Sequence, residues 1–233
     1  MNRIDFNKYN RILGISTGIL SFVVFALTVE PTASYWDCAE YISTSAKLQI
    51  GHPPGAPLFQ MLGAIFSIFA LELNQIAYAV NMMSVLSSAL TIVFLFWSIS
   101  LIGKEILGLT NSLKKDEAIK VFGSSFLGSI SFTFTDSFWF NAVEAEVYAM
   151  ATLILAILFW LGLKWVDDFE NQRADKWLIL ISFVVGLSFG VHFMGLLAIP
   201  SIGLLYYFKK YKKFNIKSFL IANIISVSIL LFI

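Results

Sequence analysis

Asp37 and Glu40 stand three residues apart in the segment Pro31 to Ile42. On a helix that spacing puts both carboxyls on one face, where they can point at a single ligand group. A competing reading is structural. Ser34 and Asp37 fit a capping box that starts an interfacial helix, with Tyr35, Trp36 and Tyr41 as membrane-belt anchors, but capping gives Glu40 no reason to share the face. Downstream, Gly51-His52-Pro53-Pro54-Gly55 reads as a turn before a second helix, with Pro54 suited to a first helical position. His52 in that turn can bind a phosphate or hold a carboxylate. In Phe138 to Tyr148, Asn141 and Glu144 fit a helix cap and its third-position partner. Glu146 lies about 200° round that helix from Glu144, at the start of an apolar run, where an acid is costly unless it faces a polar cavity. His192, between Gly190 and Gly195, marks a helix break and reads equally as a kink or a ligand. Asp37 and Glu146 are therefore expected to meet in one polar cavity.

The elements that must position these residues follow from composition. The 233 residues are 58% hydrophobic and only 13% charged, about half the charge of a soluble domain, which excludes a water-soluble globule. Apolar runs extend over Ile12 to Val29, Ala56 to Leu71, Ile76 to Gly103, Val121 to about Phe140, Val147 to Val166, Trp177 to Val191, Phe193 to Phe208 and Ile216 to Ile233. Most approach the roughly 20 residues that a helix needs to cross hydrocarbon, so the fold class is all-α and polytopic, embedded in a lipid bilayer.

Charge sets the expected topology. Every Lys and Arg except Lys47 falls in one of four clusters: Arg3 to Arg11, Lys104 to Lys120, Lys164 to Lys176, and Lys209 to Lys217. The positive-inside rule places all four on the cytoplasmic side. That works only if the run Ala56 to Leu71, about 24 Å of helix, lies in the outer interface rather than crossing. The expectation is then about seven transmembrane helices with a cytoplasmic N-terminus. Residues 1–233 would form one transmembrane domain and residues 30–75 its first extracytoplasmic loop, carrying interfacial helices. The final apolar run has no polar tail, which predicts the N-terminal part of a longer protein. Cys38 is the single cysteine, and no Walker A or His-Glu-x-x-His motif occurs, so nucleotide hydrolysis and structural zinc have no support. Nucleic-acid binding is likewise excluded, because the basic clusters are short loops that orient spans.

Asp37-Cys-Ala-Glu40, then Gly51-His-Pro-Pro-Gly-Ala-Pro-Leu-Phe59, then Glu144-Ala-Glu146-Val-Tyr148, resemble the motifs of GT-C glycosyltransferases, in particular a bacterial protein O-mannosyltransferase-like family. The resemblance implies an integral-membrane enzyme moving a hexose, mannose above all, from a polyprenyl-phosphate carrier to a hydroxyl on a protein or glycan at the extracytoplasmic face. A bacterial inner membrane is the implied location. Asp37 and Glu40 would be the catalytic acids, although protein O-mannosyltransferases have their acidic pair adjacent, which leaves open which of the two is the base. His52, Glu146, Tyr148, His192 and Lys47 would bind substrate. The resemblance fixes no cofactor, but cations are scarce on the outer face, so either an Arg or Lys further along a longer chain or a divalent metal held by acids such as Glu146 would have to offset the donor phosphate. The alternative is a non-enzymatic carrier or flippase of lipid-linked sugars, with acids lining a pathway. The gathering of Asp37, Glu40, Glu146 and His192 near one face favours surface chemistry, and a purely structural subunit would leave those acids without a role.

Overall fold

A computed structural model describes residues 3–211 and 213–232; Lys212 of the last basic cluster and Ile233 of the last apolar run lie outside them. The regular structure of the described residues is helical, apart from two residue pairs in extended pairing. Helix α1 (Phe6–Leu27) is started by the Asp5 carboxylate, which accepts the Lys8 N–H at 2.8 Å. It packs along α4 (Ile76–Ile106), the central helix, which also contacts α5 (Lys115–Thr133) and α7 (Val147–Asp167). Close approach of α1 to α4 rests on Gly14 and Gly18, one turn apart; a Cβ on either would run into Trp97 or Val93. On its packed face α4 buries Ser84, Ser87, Ser88 and Thr91, small side chains that suit tight packing in lipid. The Ser87 and Thr91 hydroxyls donate to the carbonyls of Met83 and Ser87, one turn back.

One end of the bundle gathers the basic clusters. Strand β1 (Ile4–Asp5) pairs antiparallel with β2 (Ser112–Leu113), tying the N-terminal cluster to the loop between α4 and α5. Asp167 at the end of α7 holds Lys104 at 2.6 Å and Lys164 at 3.2 Å. The Lys209 ammonium lies 5.7 Å from the Phe169 ring, so the last cluster joins the same end. Phe6, Phe96, Leu113 and Phe122 form a local core there.

The opposite end carries the candidate acids Asp37, Glu40, Glu144 and Glu146. It is built from α2 (Cys38–Lys47), α3 (Pro57–Ser67), the starts of α4 and α7, and α6 (Asp136–Ala142). Helix α8 (Lys176–Ser188) climbs to this end and breaks before a 3-10 turn at Phe193–Leu197 that leads into α9 (Ala198–Lys210). The break is docked. The Gly190 carbonyl accepts the N–H groups of Leu58 and Phe59 at 2.7 and 3.2 Å, capping the first turn of α3, which has no side-chain cap of its own. Phe59, Val80, Met83, Ala151 and Leu158 fill the core beneath.

Among the described residues, three helices are long and apolar enough to cross a membrane: Phe6–Leu27, Leu73–Ile106 and Val147–Asp167. The expected count of seven is therefore not supported. An apolar run counts residues, whereas a crossing needs an unbroken helix. Val121 to Phe140 is divided at Thr133 to Thr135 between α5 and α6, and the first turn of α5 carries Asp116 and Glu117. Both α8 and α9 have 13 residues, about 20 Å of rise against about 30 Å of hydrocarbon. The final run forms α10 (Ile216–Phe232), of 17 residues. Ala56 to Leu71 yields only the 11 residues of α3. Its first helical position is Pro57 and not Pro54, because Pro54 sits inside the turn that Gly55 closes onto the His52 carbonyl at 2.9 Å.

Candidate active site

Helix α2 starts one residue after Asp37, whose side chain makes no capping bond. The expected capping box fails because Ser34 turns away and donates its hydroxyl to Glu144 Oε2. Asp37 is left facing His52 Nε2 at 3.8 Å, with its side chain 55% exposed. Glu40 is fully engaged by comparison: Oε1 accepts the His52 backbone N–H at 2.6 Å and Oε2 faces Nδ1 at 3.0 Å. Those two bonds pull the Glu40 carboxyl below its usual range, and the bond to Glu40 raises the His52 imidazole. Tyr41 supports the ring, 6.1 Å from it and 5.2 Å from Phe59.

The second acidic segment also departs from its expected form. Asn141 lies inside α6, where its amide donates to the Ser137 carbonyl at 2.8 Å, and α7 begins only at Val147. Asn141 and Glu144 therefore cap no helix. Glu144 is 2% exposed, and its Oε1 has no partner among the described residues. Glu146 precedes α7, is 5% exposed, and accepts the Asp37 backbone N–H at 3.1 Å. Burial, then the charges of Glu144 and Asp37, lift its carboxyl to about 7. Burial and the carboxylates of Glu146, Asp37 and Glu40 push the Tyr41 phenol to about 12, so it stays a donor.

A cavity of about 420 Å³ opens between the two segments, lined by Trp36, Asp37, Phe140, Glu144, Glu146 and Tyr148. Asp37, Glu146 and Tyr148 thus share one space, as the sequence predicted for the first two. Glu40 and His52 border it through Asp37. His192 borders it through Tyr148, its ring 5.4 Å away, with Nδ1 accepting the Met194 N–H at 3.1 Å and Nε2 without a hydrogen bond among the described residues. Lys47 is not brought in: it is exposed in the last turn of α2, about 10 Å along the axis from Glu40. Asp37, Glu40 and His52 each offer a ligand atom within 4.8 Å of the others, a donor set of two carboxylates and an imidazole that a divalent cation can use. Glu146 is outside that set. Sequence reasoning assigned no site role to Ser34 or to Tyr41, whose signal was a tyrosine next to an acid. Trp36 was read as a belt anchor; it holds φ at +57° beside Asp37, a left-handed conformation rare for a bulky residue.

The sequence profile of the protein O-mannosyl-transferase TMEM260 N-terminal domain family matches residues 37–215. The chain belongs to this family. The matched stretch begins at Asp37 and contains every candidate site residue; only Ser34 and Trp36 lie before it. A Dictyostelium discoideum protein named protein O-mannosyl-transferase tmem260 is 27% identical over 191 residues, covering 76% of this chain and 21% of that protein. A Mus musculus protein of the same name is 26% identical over 166 residues, covering 71% of this chain and 21% of its own length. The chain spans about a fifth of the length of these relatives. Both are eukaryotic, so the family is not confined to bacteria. No solved structure matches.

Proposed function

We propose that this chain is the catalytic N-terminal portion of a membrane mannosyltransferase that transfers the sugar from a polyprenyl-phosphate carrier to a protein hydroxyl. Mannose and a protein acceptor follow from the names of the two relatives. The observation that carries the site assignment is the contrast between its two acids: Glu40 is saturated by His52, whereas Asp37 presents an open carboxylate to the cavity. Asp37 is then the general base. It takes the proton of the acceptor hydroxyl as that oxygen bonds to the sugar's anomeric carbon, and the bond from that carbon to the phosphate oxygen breaks, releasing the lipid phosphate. Glu40 holds His52 and favours its protonated form, whose charge would offset the carboxylates before an anionic donor arrives. Glu146 fixes the Asp37 backbone and, near neutral pH, adds only part of a charge. Tyr148 and His192 Nε2 bind the sugar hydroxyls or phosphate from the cavity's far wall. The basic clusters at the opposite end support a site on the extracytoplasmic side and a cytoplasmic N-terminus, by the positive-inside rule.

The test is transfer of labelled mannose from a polyprenyl-phosphate donor to a Ser/Thr peptide by the full-length protein. Asp37→Asn is expected to cut the rate by about 10²- to 10⁴-fold with donor binding retained, and Glu40→Gln to cost less. Undiminished transfer by Asp37→Asn would remove the base assignment. Movement of the donor across liposomes without glycosylated product would favour a carrier.

A further inference from the structure

At the basic end, α1, α4 and α7 enclose a second cavity of about 480 Å³, lined by Asn7, Asn10, Arg11, Trp97, Trp160 and Lys164. Lys164 stands about five turns beyond Glu146 on α7, about 27 Å away, close to the thickness of a hydrocarbon core. The cavity is therefore separate from the candidate active site and lies at the opposite membrane boundary. Its charge is unbalanced. Arg11 has no ion-pair partner among the described residues, and Lys164 shares Asp167 with Lys104, which holds the same carboxylate more closely, at 2.6 Å against 3.2 Å. Asn10 has its backbone carbonyl occupied by the Trp97 indole N–H at 3.0 Å and its Oδ1 by the Ser100 hydroxyl at 2.7 Å, leaving its Nδ2 hydrogens to donate. Trp97 and Trp160, 5.6 Å apart, form an indole wall. Ile12 and Leu13, next to Arg11, are 48% and 36% exposed and continue the apolar surface towards the membrane interior.

We propose that this cavity binds the phosphate headgroup of an anionic phospholipid from the leaflet on the basic side, with the acyl chains running along α1. Cationic and amide donors suit a phosphodiester, basic pockets between spanning helices recognise such headgroups, and indoles favour the level of the lipid glycerol. A free phosphate ion would use the cations but gain nothing from the apolar flank.

The experiment is a thermal-shift titration of the detergent-purified chain with short-chain phosphatidylglycerol, phosphatidylcholine of the same chains, and inorganic phosphate. Phosphatidylglycerol is expected to raise Tm saturably and the other two not. The double variant Arg11→Gln, Lys164→Gln should weaken its apparent affinity about tenfold or more, and Arg11→Lys, Lys164→Arg should restore most of it. Arg11→Gln alone removes a side chain with no ion-pair partner among the described residues, so it keeps the test available if the double variant does not fold, and it should cost severalfold. Equal stabilisation by phosphatidylcholine, equal stabilisation by inorganic phosphate, or unchanged affinity in either glutamine variant would overturn the proposal.

Discussion

Glu146 is nearly buried with a carboxyl raised to about 7, and this gives it a signature in stability as well as in chemistry. In the unfolded chain it titrates near 4.5, so between those values the folded state binds the extra proton. Its contribution therefore favours folding at low pH and is lost as pH rises from about 4.5 to 7, a change on the order of 3 kcal/mol. Glu146→Gln keeps an oxygen to accept the Asp37 N–H but removes the titration. Its Tm should exceed the parent's at pH 8 and converge with it at pH 4.5; parallel Tm curves would show that burial does not raise this group. Glu40 and His52 give a second check. Removing the carboxylate in Glu40→Gln should return the imidazole towards its ordinary range, read by NMR titration of His52. Much of this was legible by residue type: the shared face of Asp37 and Glu40, a histidine able to hold a carboxylate, and an acid that had to face a cavity. The hydroxyl of Ser34 on Glu144 was not, because the pair is 110 residues apart and leaves no local pattern.

At the level of elements, the position of Asp37 and Glu40 depends on how closely α2 lies on α3. Gly63 permits that contact: a Cβ there would come 2.8 Å from Ser45 Cβ, and Ser45 is fully buried. Gly63→Ala should destabilise by about 1–3 kcal/mol through overpacking. Gly123 in α5 has open space where a Cβ would go, so Gly123→Ala should stabilise by about 0.5–1 kcal/mol through helix propensity alone. Thermal unfolding of both variants decides the matter, and equal shifts would mean that Gly63 is not a contact point. Apolar runs located every major helix but not the interruptions within them. The break near His192 was announced by Gly190 and Gly195, but its docking was not, because the Gly190 carbonyl caps a helix far away in sequence. Likewise Asn141 and Glu144 have the residue types of a cap, but the Asn141 amide is drawn back to Ser137 within α6.

For the whole molecule the strongest regularity is the gathering of Lys and Arg at one end, readable from charge because orientation in a membrane depends on where they fall; Asp and Glu occur at both ends. The number of crossings was less readable, since helix length is set by tertiary breaks. With Cys38 replaced by alanine, a cysteine at Ser112 should resist a membrane-impermeant thiol reagent added outside intact cells, and one at Glu72 should react. Labelling at Ser112 from outside would invert the orientation and move the cavity to the cytoplasm. The hydrogen bond from Asp37 to Glu146 joins residues 109 positions apart, with a consequence in time. At about 5–20 residues per second, the ribosome delivers Glu146 about 5–20 s after Asp37. Until then the first acidic loop stands without its second wall, and a chain halted in that interval carries the acids but no pocket. Synthesis order itself therefore keeps the cavity from forming before Glu146 has emerged.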